Sequence, residues 1–458
     1  MSESQRLRDI PSVSDALESV LKQDWTAEFS REQITRAIRQ ELAEIRQRLS
    51  RKETVELSQL TSDIRRRVET AHLVSLKKVI NASGIIVHTN LGRAPLAKEA
   101  QEHVAGIVAG YSNLELDLET GRRGSRDSHV EGFLRRLLPV EASLVVNNNA
   151  AALLLLLNTF AEGKEVLVSR GELVEIGGSF RLPEIMKKSG AALIEIGSTN
   201  KTRLEDYRSA ITDRTGMILV VHPSNYQIVG FTEKPDLQQL VALGKEASIP
   251  IVEDHGSGIL VDLKPFGILE EPTVESRLKT GLDLICFSCD KILGGPQAGI
   301  ICGKKVLVDS LRRNPLFRAL RVDKMTYAAL EATLLLYLKG QQERVPVIAM
   351  LSQSSDHLKH RAHAWLSDLE TAFPQHSWHV EETTNYVGGG VAPMKGLPSF
   401  AVALTPGTSA DEIARGLRSS DPPIIARVEE DRIYFELRTI TDSEQKQIAA
   451  ALHNILQE

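Results

Sequence analysis

Short apolar runs alternate with longer helical patterns along the chain from about Val79 onward. Strands that alternate with helices usually pair in parallel, because each helix returns the chain to the same end of the sheet. The pattern therefore predicts an α/β fold, with a mostly parallel sheet covered on both faces and ligands bound at the carboxyl ends of its strands. The runs that we interpret as strands are Ala142–Val146, Glu165–Val168, Ala192–Ile196, Met217–Val221, Pro250–Glu253 and Leu282–Phe287.

The length of the chain predicts more than one domain, since 458 residues are too many for one compact core. Residues 1–75 are predicted to form a helical domain, in which Ser30–Gln33 fits a capping box and apolar residues recur at helical spacing from Ile34 to Leu49. Residues 76–325 are predicted to form a large α/β domain, and residues 326–458 a small α+β domain with its leading helix. The elements predicted for the small domain are Tyr327–Lys339, Val345–Phe373, Phe400–Leu404, Ala410–Leu417, Ile424–Val428, Arg432–Leu437 and Asp442–Leu456.

The composition excludes several classes of protein. A formal net charge of -5 gives no overall basic field, so any RNA binding must come from a local patch. No apolar run reaches the roughly 18–20 residues that a membrane span needs. Residues 1–20 are charged and lack the apolar core of a secretory signal, and we therefore expect a cytoplasmic protein with no membrane partner.

The run Leu282–Phe287 leads into a polar segment that contains Ser288, Lys291 and the glycines Gly294 and Gly295. A lysine at the end of a buried strand has a lowered pKa, and its free amine can form a Schiff base with an aldehyde. The hydroxyl of Ser288, three residues earlier, can reach a phosphate on the same cofactor. Together these features suggest pyridoxal 5'-phosphate (PLP) on Lys291, and the alternative interpretation is a surface lysine in a glycine-rich turn.

Two further strand ends carry groups suited to the same cofactor. One strand leads into a loop that opens a helix, whose free N–H groups and dipole favour a phosphate. Asp254 ends another strand, where a carboxylate can keep a pyridinium nitrogen protonated. The simpler interpretations are an ordinary turn before a helix and an aspartate that caps a turn. The candidate phosphate-binding residues of the loop are Asn148, Asn149, Ala150 and Ala151.

The cysteines do not form a recognisable metal site. Cys286 and Cys289 make a C-x-x-C pair, but a second ligand pair with zinc spacing is absent, and Cys302 lies in an apolar run. A redox pair beside Lys291 stays an alternative, although small core residues at a strand end are the favoured interpretation. We therefore predict no metal.

The predicted N-terminal helices carry many arginines, whose guanidinium groups match phosphate oxygens. The residues that can serve such contacts are Arg36, Arg39, Arg46 and the triplet Arg65–Arg67. Glutamates are interspersed among them, so the simpler interpretation is an ordinary solvated surface.

The order of these features resembles the aspartate-aminotransferase-like, fold-type-I class of PLP enzymes. A phosphate loop comes first, a strand-end aspartate second, and a strand-end lysine after a hydroxyl residue third. A more specific resemblance is carried by the segments Leu7–Val13, Asn81–Gly84, Thr89–Leu96, Gly110–Glu115, Gly124–Arg126, His222–Tyr226 and Asp290–Gln297. With these segments, nearly the whole chain is similar to the bacterial selenocysteine synthases, the L-seryl-tRNA(Sec) selenium transferases, and two of the segments also look like a related lyase branch.

The resemblance implies a specific reaction. Seryl-tRNA(Sec) is converted to selenocysteinyl-tRNA(Sec) through a PLP-bound aminoacrylyl intermediate, with selenophosphate as the selenium donor. Lys291 is then the Schiff-base lysine and takes the α-proton, while Asp254 supports the ring. The resemblance also implies an N-terminal domain that binds the tRNA and a homo-oligomer built as a ring of dimers, a decamer.

The anionic selenium donor needs cationic partners. Arg318 and Arg321 are three residues apart and would share one face of a helix, with room for the donor between them and a residue such as Arg93. Two other positions depart from the family pattern, because Cys289 replaces a glycine and His255 an apolar residue. The candidate anion-binding residues are Arg93, Arg126, Arg318 and Arg321.

Two other functions stay open. A PLP lyase acting on a small amino acid or amino sugar would use the same lysine and aspartate. A catalytically silent RNA-binding protein could keep the scaffold without the cofactor, and an absorbance spectrum would distinguish it. The arginine-rich N-terminal region favours a tRNA substrate, because a small amino compound gives an enzyme no reason to carry such a domain.

Overall fold

The computed structural model describes residues 10–51, 53, 55–176, 180–223, 225–269 and 271–456. Of the segments quoted above, residues 7–9 and residue 224 lie outside these described residues. Contacts divide the chain into two compact units, Met1–Lys78 and Val79–Glu458. None of the described helices is long and apolar enough to cross a lipid bilayer.

The first unit is helical. Ser30 begins the second helix with the predicted capping box, in which Gln33 N donates to Ser30 Oγ at 3.3 Å and Ser30 N donates to Gln33 Oε1 at 2.7 Å. The predicted apolar stripe from Ile34 to Leu49 is buried against the other helices. The helices of the described part are α1 (Val13–Val20), α2 (Arg31–Ser50) and α3 (Leu60–His72).

The second unit combines two main sheets with helices. Its strands are β1 (Ile80–Ala82), β2 (Ile85–Val87), β3 (Ala142–Val146), β4 (Glu165–Ser169), β5 (Glu175–Ile176), β6 (Phe180–Arg181), β7 (Ala192–Ile196), β8 (Thr215–Val221), β9 (Ile251–Gly256), β10 (Leu284–Ser288), β11 (Gly299–Gly303), β12 (Ser377–Gly388), β13 (Val391–Thr405), β14 (Ile424–Glu429) and β15 (Arg432–Glu436). Its helices are α4 (Lys98–Val108), α5 (Ser128–Leu137), α6 (Asn149–Ala161), α7 (Leu182–Ser189), α8 (Leu204–Ala210), α9 (Leu237–Ala247), α10 (Val274–Leu278), α11 (Lys305–Arg313), α12 (Pro315–Leu320), α13 (Lys324–Leu338), α14 (Pro346–Ser352), α15 (Ser355–Ala372), α16 (Ala410–Ser419) and α17 (Asp442–Leu456).

The large sheet has seven described strands in the order β3-β11-β10-β9-β8-β4-β7. All neighbours are parallel except β11, which runs antiparallel to β3 and β10. Successive side chains of a strand point to opposite faces of the sheet, and here they pack in different hydrophobic clusters, Leu144 in one and Val145 in the other. The predicted mostly parallel sheet, covered on both faces, is therefore confirmed.

The smaller sheet has the order β1-β14-β15-β13-β12-β2 among the described strands. Its strands β1 and β2 precede the large sheet in the chain but pair with C-terminal strands, so residues 80–87 join a sheet far away in sequence. The helical stretch predicted over Val345–Phe373 consists of two helices, α14 and α15. Ser354 is the N-cap of α15, because its side chain accepts a hydrogen bond from His357 N at 3.2 Å.

Candidate functional site

Asp254 and Lys291 lie at the same edge of the large sheet. Asp254 belongs to β9, and Lys291 follows the end of β10. The two strands are parallel neighbours, with Cys286 opposite Asp254, so their carboxyl ends meet. Both side chains are buried. The structure thus brings together the two residues that the sequence singled out for chemistry.

The surroundings of Lys291 favour a neutral amine. Burial lowers the pKa of Lys291, against an opposing effect of the nearby Asp254 carboxylate, while the Arg93 charge lowers it further. The Nζ atom makes no hydrogen bond or ion pair within the described part of the chain. A lowered pKa makes the amine easier to deprotonate, and an unengaged amine at a strand end can then attack an aldehyde, which is the chemistry predicted for this lysine.

Asp254 is held by a residue for which the sequence predicted another role. Asn149 Nδ2 donates to Asp254 Oδ1 at 2.8 Å, so this loop residue contacts the aspartate. Burial raises the pKa of Asp254, and the Asn149 hydrogen bond and the Lys291 charge oppose that effect. Asn149 Oδ1 is buried and has no partner among the described residues. No local sequence signal reveals this contact, because the two residues are 105 positions apart.

The loop before α6 has the form of an anion site. Asn148 caps the helix by accepting a hydrogen bond from Ala151 N at 2.8 Å. In the described structure the N–H groups of Asn149 and Ala150 have no such partner, which leaves them and the helix dipole for a phosphate. Gly299 allows the loop to pack closely, since a Cβ there would lie 2.3 Å from Asn148 O.

Ser288 ends β10 as predicted and is buried at 7% exposure. Its hydroxyl makes no hydrogen bond to the residues that the structure describes. Together with Lys291, Asp254 and the start of α6, it forms a set that fits an aldehyde, a ring nitrogen and a phosphate. These residues could therefore hold PLP.

The two departures from the family pattern lie in the protein interior. His255 is fully buried, with Nε2 2.9 Å from Pro272 O and Nδ1 3.1 Å from Ser257 Oγ. Burial, reinforced by the nearby His222, lowers the pKa of His255 to about 3, so it is neutral. Cys289 is also buried in the core. Neither departure removes one of the candidate catalytic side chains, Asp254 and Lys291.

The cysteines and acidic residues show no metal centre in the described structure. All three cysteines are buried and free, as expected for core residues, with Cys286 inside β10, Cys289 just after it and Cys302 inside β11. No group of three or more His, Cys, Asp or Glu side chains in the described ranges could hold a metal ion.

The candidate anion-binding arginines fall into separate groups. Arg93 Nη1 donates to Asp290 Oδ2 at 2.6 Å, and both residues line a cavity of about 300 Å³. Arg126 and Arg321 instead share the carboxylate of Glu115, at 2.6 and 3.5 Å. Arg318 is exposed and has no ion pair within the described part of the chain.

The expected helical pairing of Arg318 with Arg321 is wrong. Helix α12 ends at Leu320, and Arg321 has an extended backbone with φ -65° and ψ 142°. Arg321 pairs as an antiparallel bridge with Val146, the last residue of β3, and Asn147 N donates to Leu320 O at 3.1 Å. The sheet edge therefore ends the helix and places Arg321 beside the candidate phosphate loop that opens α6.

The arginines of the first unit differ in whether ion pairs within the protein already engage their guanidinium groups. Arg67 ties α3 to α2 through Glu41 and Glu44, with its Nη2 at 2.7 and 2.5 Å from their carboxylates. Arg36, Arg65 and Arg66 make exposed ion pairs within their own helices. Arg39 and Arg46 are exposed, without an ion pair to the residues described, and lie two turns apart on α2.

A larger cavity, which the sequence did not reveal, opens at the ends of β4 and β8 and has a volume of about 850 Å³. His222 and Glu271 line it and lie 2.9 Å apart, next to the strand that carries Asp254. Burial raises the pKa of Glu172, another lining residue, to about 7. His222 lies in one of the segments that carry the resemblance, but Glu172 and Glu271 come from distant parts of the chain that no motif connects to it. The cavity's lysines are Lys201, Lys234 and Lys395.

Comparison with known proteins identifies the fold and the family. The solved structure of a D-glucosaminate-6-phosphate ammonia-lyase aligns with a TM-score of 0.57 at 19% identity, over 83% of this chain and 96% of that chain. The chain has the aspartate-aminotransferase-like, fold-type-I fold that was predicted. Residues 79–441 match the L-seryl-tRNA selenium transferase family model, and residues 7–46 match the selenocysteine synthase N-terminal model.

Two curated relatives extend the match over nearly the full length. The L-seryl-tRNA(Sec) selenium transferase of Carboxydothermus hydrogenoformans is 46% identical over 443 residues, which are 96% of this chain and 95% of that protein. Its counterpart from Aquifex aeolicus is 44% identical over 452 residues, which are 98% of this chain and 99% of that protein. This chain therefore belongs to the L-seryl-tRNA(Sec) selenium transferase family of PLP-dependent enzymes.

Proposed function

We propose that the protein converts seryl-tRNA(Sec) to selenocysteinyl-tRNA(Sec) through a PLP-bound aminoacrylyl intermediate, with selenophosphate as the donor. The observation that carries the proposal is the buried pair Asp254 and Lys291, at neighbouring strand ends, in a chain of this family. The lyase alternative gains no support from the ammonia-lyase structure, because 19% identity shows a shared fold alone.

Each residue of the pair has a definite task. Lys291 would hold the cofactor through its aldehyde, and its Nζ would take the α-proton of the seryl group. Asp254, oriented by Asn149, keeps the ring nitrogen protonated. The start of α6 and Ser288 bind the phosphate. PLP, when bound, supplies a conjugated ring that stores the electron pair left by the proton.

The tRNA, the donor and the assembly complete the proposal. The exposed arginines of the first unit bind tRNA phosphates, and arginines of the second unit bind the anionic donor. We propose a cytoplasmic homo-oligomer, a ring of dimers that forms a decamer. Large apolar side chains that are mostly exposed in the single chain support an assembly, among them Tyr111, Leu118, Val229 and Phe231.

Replacing Asp254 by alanine or asparagine should slow α-proton exchange on the order of a hundredfold, the scale of a lost acid–base contribution. The cofactor should still bind, because Lys291 and the start of α6 remain. Exchange is measured by incorporation of solvent deuterium into the seryl group, and cofactor content by absorbance. Exchange at the wild-type rate would show that Asp254 has only a structural role in β9.

Replacing Arg318 or Arg321 by alanine should impair use of the selenium donor more than dehydration of the seryl group. Their positive charge serves an anion that enters only in the second half-reaction, and the loss should be about tenfold or more for one charge-assisted contact. The two half-reactions are measured separately, with and without selenophosphate. Equal loss in both would indicate a folding role instead.

The reaction without donor tests the proposed function. Purified protein loaded with PLP should retain seryl-tRNA(Sec) and dehydrate its serine, so that alkaline hydrolysis releases labelled pyruvate. Seryl-tRNA that is retained but keeps intact serine would favour the silent RNA-binding protein. Seryl-tRNA that is ignored while a small amino compound is deaminated would favour the lyase.

A further inference from the structure

Three arginines converge on the carboxylate of Glu115. Arg126 Nε donates to Oε1 at 2.6 Å, Arg123 Nη2 donates to Oε2 at 2.7 Å, and Arg321 Nη1 lies 3.5 Å from Oε1. The hydrogen bonds from Arg126 and Arg123 lower the pKa of Glu115, which is therefore ionised at neutral pH. Two of these arginines are candidates for the donor site, so an internal carboxylate occupies groups that an anion would use.

The backbone and other contacts hold the arginines independently of Glu115. Arg126 Nη1 also donates to Val322 O at 2.8 Å, and Arg321 is fixed by its bridge to Val146. Arg321 Nε is buried and has no hydrogen-bond partner within the described residues, so one donor of this guanidinium group is left unsatisfied. Removing the carboxylate would therefore leave the Arg126 guanidinium tied to Val322 O and the Arg321 backbone tied to Val146, with the Arg321 guanidinium released for an anion.

The cluster is open to ions from solvent. The side chains of Glu115, Arg126 and Arg321 are 26%, 24% and 23% exposed. Three guanidinium groups against one carboxylate leave an excess of positive charge, which suits an anion with more than one negative charge. Because Arg321 pairs with the residue before Asn147, the cluster lies beside the loop that opens α6.

We propose that Glu115 is the internal counter-ion of an anion site formed by Arg126 and Arg321, and that an incoming phosphate-type anion must displace it. The inference rests on the proposed function, because it takes these arginines as donor-binding groups. An anion gains the arginine contacts only by breaking those of Glu115, so weakly charged anions bind poorly. Glu115 thereby determines which anions the site accepts.

The test uses the PLP-loaded protein and inorganic phosphate, with affinity measured by titration calorimetry. Glu115→Gln keeps the size of the side chain but removes its charge, and it should bind phosphate about tenfold more tightly than wild type, the scale of one charge-assisted contact. Glu115→Ala should show the same gain if the glutamine variant folds poorly. Glu115→Asp keeps the charge and should stay near wild type, and adding Arg321→Ala to Glu115→Gln should remove the gain.

A matched control is Glu131→Gln. Glu131 pairs with Arg312 at 2.9 Å, and the two side chains are 26% and 24% exposed, yet it should leave phosphate affinity unchanged. Phosphate that binds Glu115→Gln no more tightly, or a gain that survives Arg321→Ala, would overturn the proposal. A gain in a protein that transfers no selenium to seryl-tRNA supports the anion site and contradicts the proposed function instead.

Discussion

Replacing Lys291 by alanine should lower turnover by about 10⁴-fold, because one side chain both carries the cofactor and takes the α-proton. The buried amine, with its lowered pKa, lies at the sheet edge beside Asp254. Borohydride treatment of the wild-type protein should attach the cofactor permanently to Lys291, and peptide mass mapping should locate it there. The alanine variant should give no adduct and should lack the absorbance band of the link.

The lysines of the 850 Å³ cavity provide the matched controls. Lys201→Ala and Lys395→Ala should each keep the borohydride adduct at Lys291, because Lys291 follows β10, the strand next to Asp254. Lys201 instead follows β7 at the far end of the large sheet, and Lys395 lies in β13 of the smaller sheet. An adduct mapped to Lys201, Lys234 or Lys395 would mean that the attachment site is misassigned. Loss of the adduct in a control variant would point to the same conclusion.

Deleting residues 1–78 should abolish most of the affinity for seryl-tRNA(Sec), by about a hundredfold or more at physiological salt. The aminoacyl end of a tRNA carries little identity, so a distant part of the RNA must be bound, largely by its shape. The truncated protein should still fold and bind PLP, because residues 1–78 form a separate compact unit that contains none of the candidate cofactor-binding residues. Filter binding measures the affinity, and absorbance measures the cofactor.

Point variants separate RNA contact from folding in the first unit. The double variant Arg39→Ala with Arg46→Ala should weaken tRNA binding. The slope of log affinity against log salt concentration should also become shallower, by the amount expected for about two lost phosphate contacts. Arg67→Ala should mainly lower the melting temperature, because Arg67 ties α3 to α2 through Glu41 and Glu44. If the truncated protein binds and converts seryl-tRNA as well as the intact one, this unit is an oligomer contact and the proposed role is wrong.

The sequence predicted the parts of the site that depend on local pattern. Asp254 and Lys291 each follow an apolar run, and parallel strands put their carboxyl ends together, so both positions followed from strand prediction alone. The capping box at Ser30 and the helix after Asn148 rest on spacing within a few residues, and both are present.

The contacts that the sequence missed join distant parts of the chain. Glu115 lies 206 positions from Arg321, and Asn149 lies 105 positions from Asp254. The end of α12 at Leu320 is set by the bridge between Arg321 and Val146, so helical spacing alone misplaced Arg321. Local pattern fixes where a strand or helix forms, but tertiary pairing decides which side chains meet.

Transfer of labelled selenium tests the central claim most directly. Purified, PLP-loaded protein is incubated with seryl-tRNA(Sec) and radioactive selenophosphate, and the tRNA is then recovered and hydrolysed. Selenium should appear on the tRNA and be released as selenocysteine, and it should be absent with uncharged tRNA or with Lys291→Ala. Wild-type protein that leaves seryl-tRNA(Sec) unlabelled, while it deaminates a small amino acid or amino sugar, would contradict the proposed function.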